Sequence, residues 1–197
     1  MDEDQKLFDE KNSKQTSHTH NTVEDMIQIH IVGDGNCFFR CLSQTIDNSQ
    51  ENYHYYRILV YNYIYHNKGE LKNFFSKKEN ENENDYNNRY LAFINSIKNN
   101  YNYAGDFEIA SAAMLLHRKI IIYRHNFNGY EFLNEYNTSR ESFPPINIIF
   151  KNNNHFNLLL NKDNENLFKL NQNEITNFEH IHKDIEKSIE KLDFEEA

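Results

Sequence analysis

The chain has 197 residues, of which 38% are hydrophobic and 14% aromatic, and its net charge at neutral pH is −9. This length suits one domain of about 130–150 residues with extensions, and the negative charge argues against nucleic acid as the main ligand, since such proteins present basic patches. There is no apolar run of about 18 residues and no secretion signal, so we expect no membrane span. The two cysteines, Cys37 and Cys41, suit neither a disulfide framework nor a Cys-x-x-Cys pair, which predicts reduced thiols and a cytoplasmic protein.

Three regions follow from the distribution of apolar residues. Residues 1–22 are polar without any period and are predicted to be a disordered tail, residues 23–162 to form the folded domain, and residues 163–197 a linker and a helix. The histidine pairs His18/His20 and His180/His182 lack a third ligand or a shared helix face, so no metal site is expected there.

Helical spacing and strand alternation place the elements of the domain. A strand near Met26 leads into a turn at Gly33. The predicted helices are 37–46, 53–66, a short continuation at 70–75, a helix through Tyr90–Ile97, and 107–117 with Asp106 as N-cap; polar residues 77–88 are predicted to be a flexible surface insertion. Later strands are predicted at 120–123, 130–136, 146–150 and 155–160. Helices followed by strands indicate an α+β fold, with a small mixed sheet packed with helices.

The C-terminal segment from Glu174 to Leu192 has apolar residues at steps of three and four, which predicts an amphipathic helix. Its apolar face either docks on the domain's own surface or binds a partner or a second copy.

The stretch from Gly33 to Arg40 carries the strongest chemical signal. Two glycines flank Asp34, and Cys37 follows on the first turn of a predicted helix. Free N–H groups and the positive helix end favour a thiolate there, and the turn amides around Gly35 and Asn36 are candidates for stabilising an oxyanion. Cys37 is therefore a candidate nucleophile, whereas Cys41 one turn later is expected to be a small core residue and Arg40 an anchor.

A candidate base stands at the head of the last predicted strand. His155 follows a polar turn, and Asn157 lies two residues on, on the same strand face. The amide oxygen of Asn157 can accept from one ring nitrogen and so fix the imidazole tautomer. Asp34 is a second candidate for this role, or it buttresses the turn; the sequence leaves the choice open.

Three motifs in order resemble the OTU (ovarian tumour) family of cysteine proteases, which act as deubiquitinases. They are Asp34-Gly35-Asn36-Cys37-Phe38-Phe39-Arg40, then Tyr103-Ala104-Gly105-Asp106-Phe107-Glu108-Ile109-Ala110, and His155-Phe156-Asn157. Tyr103 and Ala104 depart from the usual Trp and Gly, which are packing positions.

The resemblance implies a papain-like cysteine protease fold, with Cys37 as nucleophile, His155 as general base, and Asp34 or Asn157, or both, as the third residue. It implies hydrolysis of the bond after the C-terminal glycine of ubiquitin or polyubiquitin, without metal or cofactor. The alternatives are a catalytically weak ubiquitin-binding module and a protease for a ubiquitin-like modifier.

Overall fold

The computed structural model describes residues 26–127, 129–138 and 143–161. Most helices precede most strands, as the sequence predicts. The elements are β1 Met26–Ile29, α1 Cys37–Asp47, α2 Tyr53–His66, α3 Lys68–Leu71 with a following 3₁₀ turn Lys72–Phe74, α4 Glu83–Ile97, α5 Asp106–Leu116, β2 Ile120–Asn126, β3 Gly129–Tyr136, β4 Ile146–Lys151 and β5 His155–Asn161.

The strands form one mixed sheet in the order β1-β5-β4-β2-β3. Strands β2 and β4 are parallel, whereas β1 with β5, β5 with β4, and β2 with β3 are antiparallel. Helix α1 packs against β5 and β4, and α5 packs against β2 and β3. The predicted α+β class with a small mixed sheet is therefore confirmed.

The hydrophobic core fixes α1 against the sheet. Phe38, Phe39 and Leu42 of α1 are fully buried, as are Ile148 of β4 and Leu158 of β5. Burying a side chain of this size contributes about 1.5–3 kcal/mol relative to leaving it in water, so these contacts hold the helix firmly. The first residue of α1, Cys37, is thereby held beside β5, which begins at His155.

The predicted surface insertion at 77–88 is wrong in its second half, because α4 already begins at Glu83. The Asn82 side chain accepts a hydrogen bond from the Asp85 N–H at 2.9 Å and caps the helix. Tyr86 is buried, and its single hydroxyl proton is shared between two backbone carbonyls of the preceding segment, of Lys72 and Phe75. A capping residue and an anchored aromatic, together with the ion pairs of Glu81 with Arg89 and of Glu83 with Lys72, thus order a stretch that is otherwise polar.

Helix α5 is capped differently from the prediction. Gly105, and not Asp106, occupies the N-cap, and its N–H donates to the Glu108 carboxylate at 3.1 Å. The Asp106 carboxylate instead accepts from the Tyr136 hydroxyl of β3. The Asp106 side chain, which the local sequence pattern predicts as a cap, therefore binds a residue distant in sequence instead.

The predicted N-terminal tail (1–22), the C-terminal helix and both histidine pairs lie outside the described residues. Within the described ranges, no helix has the length and hydropathy needed to cross a membrane.

Candidate active site

The turn before α1 requires glycine at position 35. Gly35 has φ +77°, a conformation that residues with side chains rarely adopt. A Cβ at this position would lie 2.2 Å from the carbonyl oxygen of Tyr101, which is far inside van der Waals contact. The loop between α4 and α5 therefore crosses directly over the turn that leads to Cys37.

Asn36 fastens this turn to the crossing loop. Its side chain is fully buried, and its Oδ1 accepts from Nη2 of Arg57 at 2.8 Å and from the Tyr101 N–H at 3.1 Å. Its own backbone N–H donates to Asp34 at 3.0 Å. The side chain of Asn36 thus has a structural role, and its N–H is already occupied.

Asp34 faces Arg40. Its carboxylate accepts from Nε and Nη2 of Arg40, the latter at 2.7 Å. Burial alone raises the pKa of Asp34, but the hydrogen bonds from Arg40 and Asn36 outweigh it, so the pKa lies below the ordinary value. Arg40 also donates to the Gln50 carbonyl and lies over the Tyr53 ring, which confirms it as an anchor.

The Cys37 thiol is buried at the first residue of α1. Burial raises its pKa, although the backbone N–H groups of Phe156, Phe38 and Cys37 itself act in the opposite direction. The negative charge of Asp34 adds to the increase. The sequence led us to expect a lowered pKa from the helix end alone; here desolvation is the larger effect. Cys41 is fully buried and its pKa is raised well above the ordinary value, which fits the predicted core position.

His155 and Asn157 are hydrogen-bonded to each other on β5. Nε2 of His155 lies 2.9 Å from Oδ1 of Asn157, and the same oxygen accepts the backbone N–H of Ile31 at 2.9 Å. Asn157 and Ile31 are both buried. The strand geometry expected from the sequence, with the two side chains on one face, therefore leads to a direct contact.

The bond from Ile31 fixes the protonation pattern of the imidazole. A backbone N–H can only donate, so the side-chain atom that it meets on Asn157 must be the oxygen rather than the nitrogen of the amide. Nε2 of His155 faces that same oxygen and must therefore carry a proton. In neutral imidazole the remaining nitrogen, Nδ1, is then the unprotonated one and can accept a proton.

The segment between β1 and the turn lies against this nitrogen. A Cβ built on Gly33 would lie 3.5 Å from Nδ1 of His155, so the backbone of Gly33 borders the imidazole. The Gln50 side chain holds the segment by accepting from the Val32 N–H and donating to the His30 carbonyl, both at 3.0 Å. Gln50 thus supplies the hydrogen bonds that a neighbouring strand would otherwise make to this segment.

The structure brings the candidate nucleophile and base to the same place without joining them directly. The Phe156 N–H, which follows His155 in the chain, points at the Cys37 thiol. Among the hydrogen bonds of the described residues, none links this thiol to the imidazole, and none links Asp34 to it. Catalytic hydrogen bonds are often long before substrate binds.

The two predicted oxyanion donors, Gly35 and Asn36, differ in whether their N–H groups are already hydrogen-bonded. The Asn36 N–H is occupied by Asp34, whereas the Gly35 N–H has no acceptor within the part of the chain that the structure describes. The Cys37 N–H lies at the open end of the helix. The role of Gly35 as an oxyanion donor stays a prediction.

One residue that supports the candidate site, Arg57, was not predicted. Its guanidinium is buried and donates to the carbonyls of Ile97, Gly35 and Asn102 as well as to Asn36. Burial lowers its pKa to about 10, so it stays charged near pH 7. The sequence contained a signal, because Arg57 lies three residues before Val60 in the apolar stripe of α2, where a charge needs buried partners.

Comparison with known proteins gives a consistent result. The profile of the family described as OTU-like cysteine protease matches residues 32–159. The OTU domain of OTUD1 is 18% identical with a TM-score of 0.55, and the match covers 69% of this chain and 86% of that one. The viral OTU domain protease from Taggert virus is 16% identical with a TM-score of 0.57, covering 73% and 85%. An OTU deubiquitinase from Wolbachia pipientis wMel is 18% identical with a TM-score of 0.50, covering 71% and 91%. No curated protein sequence matches significantly. At such identities the structural likeness concerns the fold.

Proposed function

The chain belongs to the family of OTU-like cysteine proteases, and on this premise we propose that it is a deubiquitinase. It would hydrolyse the peptide or isopeptide bond after the C-terminal glycine of ubiquitin. The observation that carries the proposal is the shared oxygen of Asn157, which binds both the Ile31 N–H and Nε2 of His155. This arrangement leaves Nδ1 as the basic nitrogen, on the side bordered by Gly33, while the N–H of the next residue, Phe156, reaches the Cys37 thiol. The solved relative from Wolbachia pipientis wMel, described as an OTU deubiquitinase, supports the choice of reaction.

The proposed reaction has two halves. In the first, Nδ1 of His155 takes the proton of the Cys37 thiol while the sulfur attacks the carbonyl carbon of the ubiquitin glycine. The tetrahedral oxyanion forms near the N–H groups of Cys37 and Gly35. The imidazolium then gives its proton to the departing amine, and a thioester remains on Cys37. In the second half, water attacks the thioester with His155 again as base, which releases the ubiquitin carboxylate and the thiol.

Burial of the thiol makes the base essential in this scheme. Because desolvation raises the pKa of Cys37, the resting form is a neutral thiol, and attack needs a proton acceptor at that moment. We expect His155→Ala to lower kcat by about 10²–10⁴-fold, the range typical of a lost general base.

The test uses ubiquitin with a C-terminal electrophile that traps an attacking thiol. The wild type should form a covalent adduct detected by intact mass, and Cys37→Ala should form none. Cys41→Ala is the matched control, since it removes the other, fully buried thiol, and it should still form the adduct. An adduct on Cys37→Ala, or none on the wild type, would contradict the proposal.

The raised pKa of Cys37 favours a second candidate, a catalytically weak domain that binds ubiquitin without cleaving it. Ubiquitin binding without cleavage of any chain linkage would identify this case. Adducts only with electrophilic probes made from ubiquitin-like modifiers would instead identify a protease for such a modifier.

A further inference from the structure

Tyr101, in the loop between α4 and α5, has an unusual backbone conformation. Its φ is +70°. The other non-glycine residues with positive φ in the described ranges are four asparagines and one histidine. Asn tolerates this conformation, but a bulky aromatic residue adopts it only under strain. Its side chain is 67% exposed, so burial of the ring does not offset this strain.

The residues on both sides of Tyr101 are asparagines, which makes a tyrosine at the strained position more unexpected. Asn99, Asn100 and Asn102 flank Tyr101 and belong to the residue type that suits positive φ best. A shift of the loop by one residue would place an asparagine at the strained position. The chain instead holds an exposed aromatic ring there, and backbone strain of this kind is typical of functional sites.

Three contacts hold the backbone of Tyr101 and Asn102 beside the turn that leads to Cys37. The Tyr101 N–H donates to Oδ1 of Asn36 at 3.1 Å, and its carbonyl lies against Gly35, where no Cβ would fit. The next carbonyl, of Asn102, accepts from the buried guanidinium of Arg57 at 2.8 Å. All three contacts involve the backbone of the loop. They fix the position of the Tyr101 backbone and do not involve the ring. Gly35 and Asn36 lie within two residues of the candidate nucleophile.

We propose that the Tyr101 ring is a specificity-determining residue that contacts the substrate. It would pack on the extended C-terminal tail of ubiquitin, against the backbone and methylene groups of the residues just before the scissile bond. This assignment rests on the proposed deubiquitinase function. A tyrosine suits such a contact because it offers a large, rigid apolar face at a low cost in side-chain entropy.

The test separates the strain from the ring by replacing Tyr101 with asparagine, which accepts the backbone conformation but lacks the ring. Tyr101→Asn should raise Tm by about 2–4 °C because strain is relieved. It should also lower kcat/KM for ubiquitin with a fluorogenic C-terminal amide about tenfold, mainly through KM. A ring that merely stabilised the loop would give a lower Tm instead. Tyr101→Phe keeps the ring and should match the wild type.

Two controls limit the interpretation. Phe132→Ala removes another exposed aromatic, on edge strand β3, and should leave kcat/KM unchanged. The rate at which iodoacetamide alkylates Cys37 should be the same in Tyr101→Asn and the wild type, because the turn itself is not altered. A changed alkylation rate would show that the substitution acts through the turn, which would overturn the assignment.

Binding gives a readout that does not need turnover. In a Cys37→Ala background, Tyr101→Asn should raise the Kd for free ubiquitin about tenfold. If the wild type is active and Tyr101→Asn lies within twofold of it in both assays, the assignment of Tyr101 is wrong while the proposed function stands. If the wild type neither cleaves the fluorogenic substrate nor binds ubiquitin, the proposed function fails and the assignment falls with it.

Discussion

Removal of the Asn157 side chain tests which residue orients the imidazole. Asn157→Ala deletes the oxygen that accepts both the Ile31 N–H and Nε2 of His155, each at 2.9 Å. The Ile31 N–H is fully buried, so water does not replace the lost acceptor. An unsatisfied buried donor costs about 1–3 kcal/mol, and we expect Tm to fall by several degrees.

The effect on rate follows from the second hydrogen bond. When His155 accepts a proton it becomes an imidazolium, and its bond to Asn157 becomes charge-assisted, which is worth about 1.5–3 kcal/mol. Losing that bond in the transition state lowers kcat by about 10- to 150-fold. Asn157→Asp keeps both bonds and adds a negative charge that stabilises the imidazolium, so its kcat should equal or exceed that of the wild type.

The assay compares Asn157→Ala with Asp34→Ala on fluorogenic ubiquitin, at a temperature where both variants are folded. Asp34 contacts Arg40 and the Asn36 N–H and makes no hydrogen bond to the imidazole among the described residues, so its loss should reduce kcat less than tenfold. A larger loss of kcat in Asp34→Ala than in Asn157→Ala would show instead that the carboxylate of Asp34 is the dominant orienter.

Two further predictions concern the nucleophile and its turn. Since only the thiolate reacts with iodoacetamide and burial raises the pKa of Cys37, alkylation in the substrate-free protein should be slow at pH 7 and keep rising above pH ~8.5, the ordinary thiol pKa. Peptide mapping measures the alkylation rate of Cys37 at each pH. His155→Ala should leave this pH dependence unchanged. A rate that already reaches a plateau by pH 7 would indicate a thiolate–imidazolium pair instead. Gly35→Ala should lose more than about 2 kcal/mol of stability, because it adds a clash with Tyr101 to an unfavourable φ. Gly69→Ala, which meets nothing within 4 Å, should gain about 0.5–1 kcal/mol in thermal unfolding, and equal losses in both variants would contradict the tight contact.

Local patterns predicted the parts of the site that depend on local structure. The glycine-flanked turn placed Cys37 at the start of a helix, and alternation placed His155 and Asn157 on one strand face. Both features rest on the geometry of a few consecutive residues, and the structure contains both. The start of α4 was missed because Tyr86 is ordered by contacts with the segment before it, which no local period reveals.

The choice between Asp34 and Asn157 could not be made from sequence because it depends on which groups each side chain contacts in the folded chain. Asn157 is fixed by the N–H of Ile31, 126 residues away, and Asp34 is drawn to Arg40 by an ion pair. The direction of the Cys37 pKa shift has the same origin. A helix end is visible in the sequence, whereas desolvation depends on how the whole core covers the thiol.

The two halves of the site are held by supports of different kinds. The proposed base, His155, is held through one oxygen of Asn157, so we expect a change of Asn157 to alter proton transfer at a modest cost in stability. The turn that leads to Cys37 is held by the buried charge of Arg57, whose loss would remove a donor from the buried carbonyls of Gly35 and Ile97 and one of the two hydrogen bonds to the Asn36 amide oxygen. Asn157→Ala should therefore be folded and slow, whereas Arg57→Ala should fail to fold. Because no hydrogen bond among the described residues joins the thiol to the imidazole, we expect that bond to form only when substrate binds.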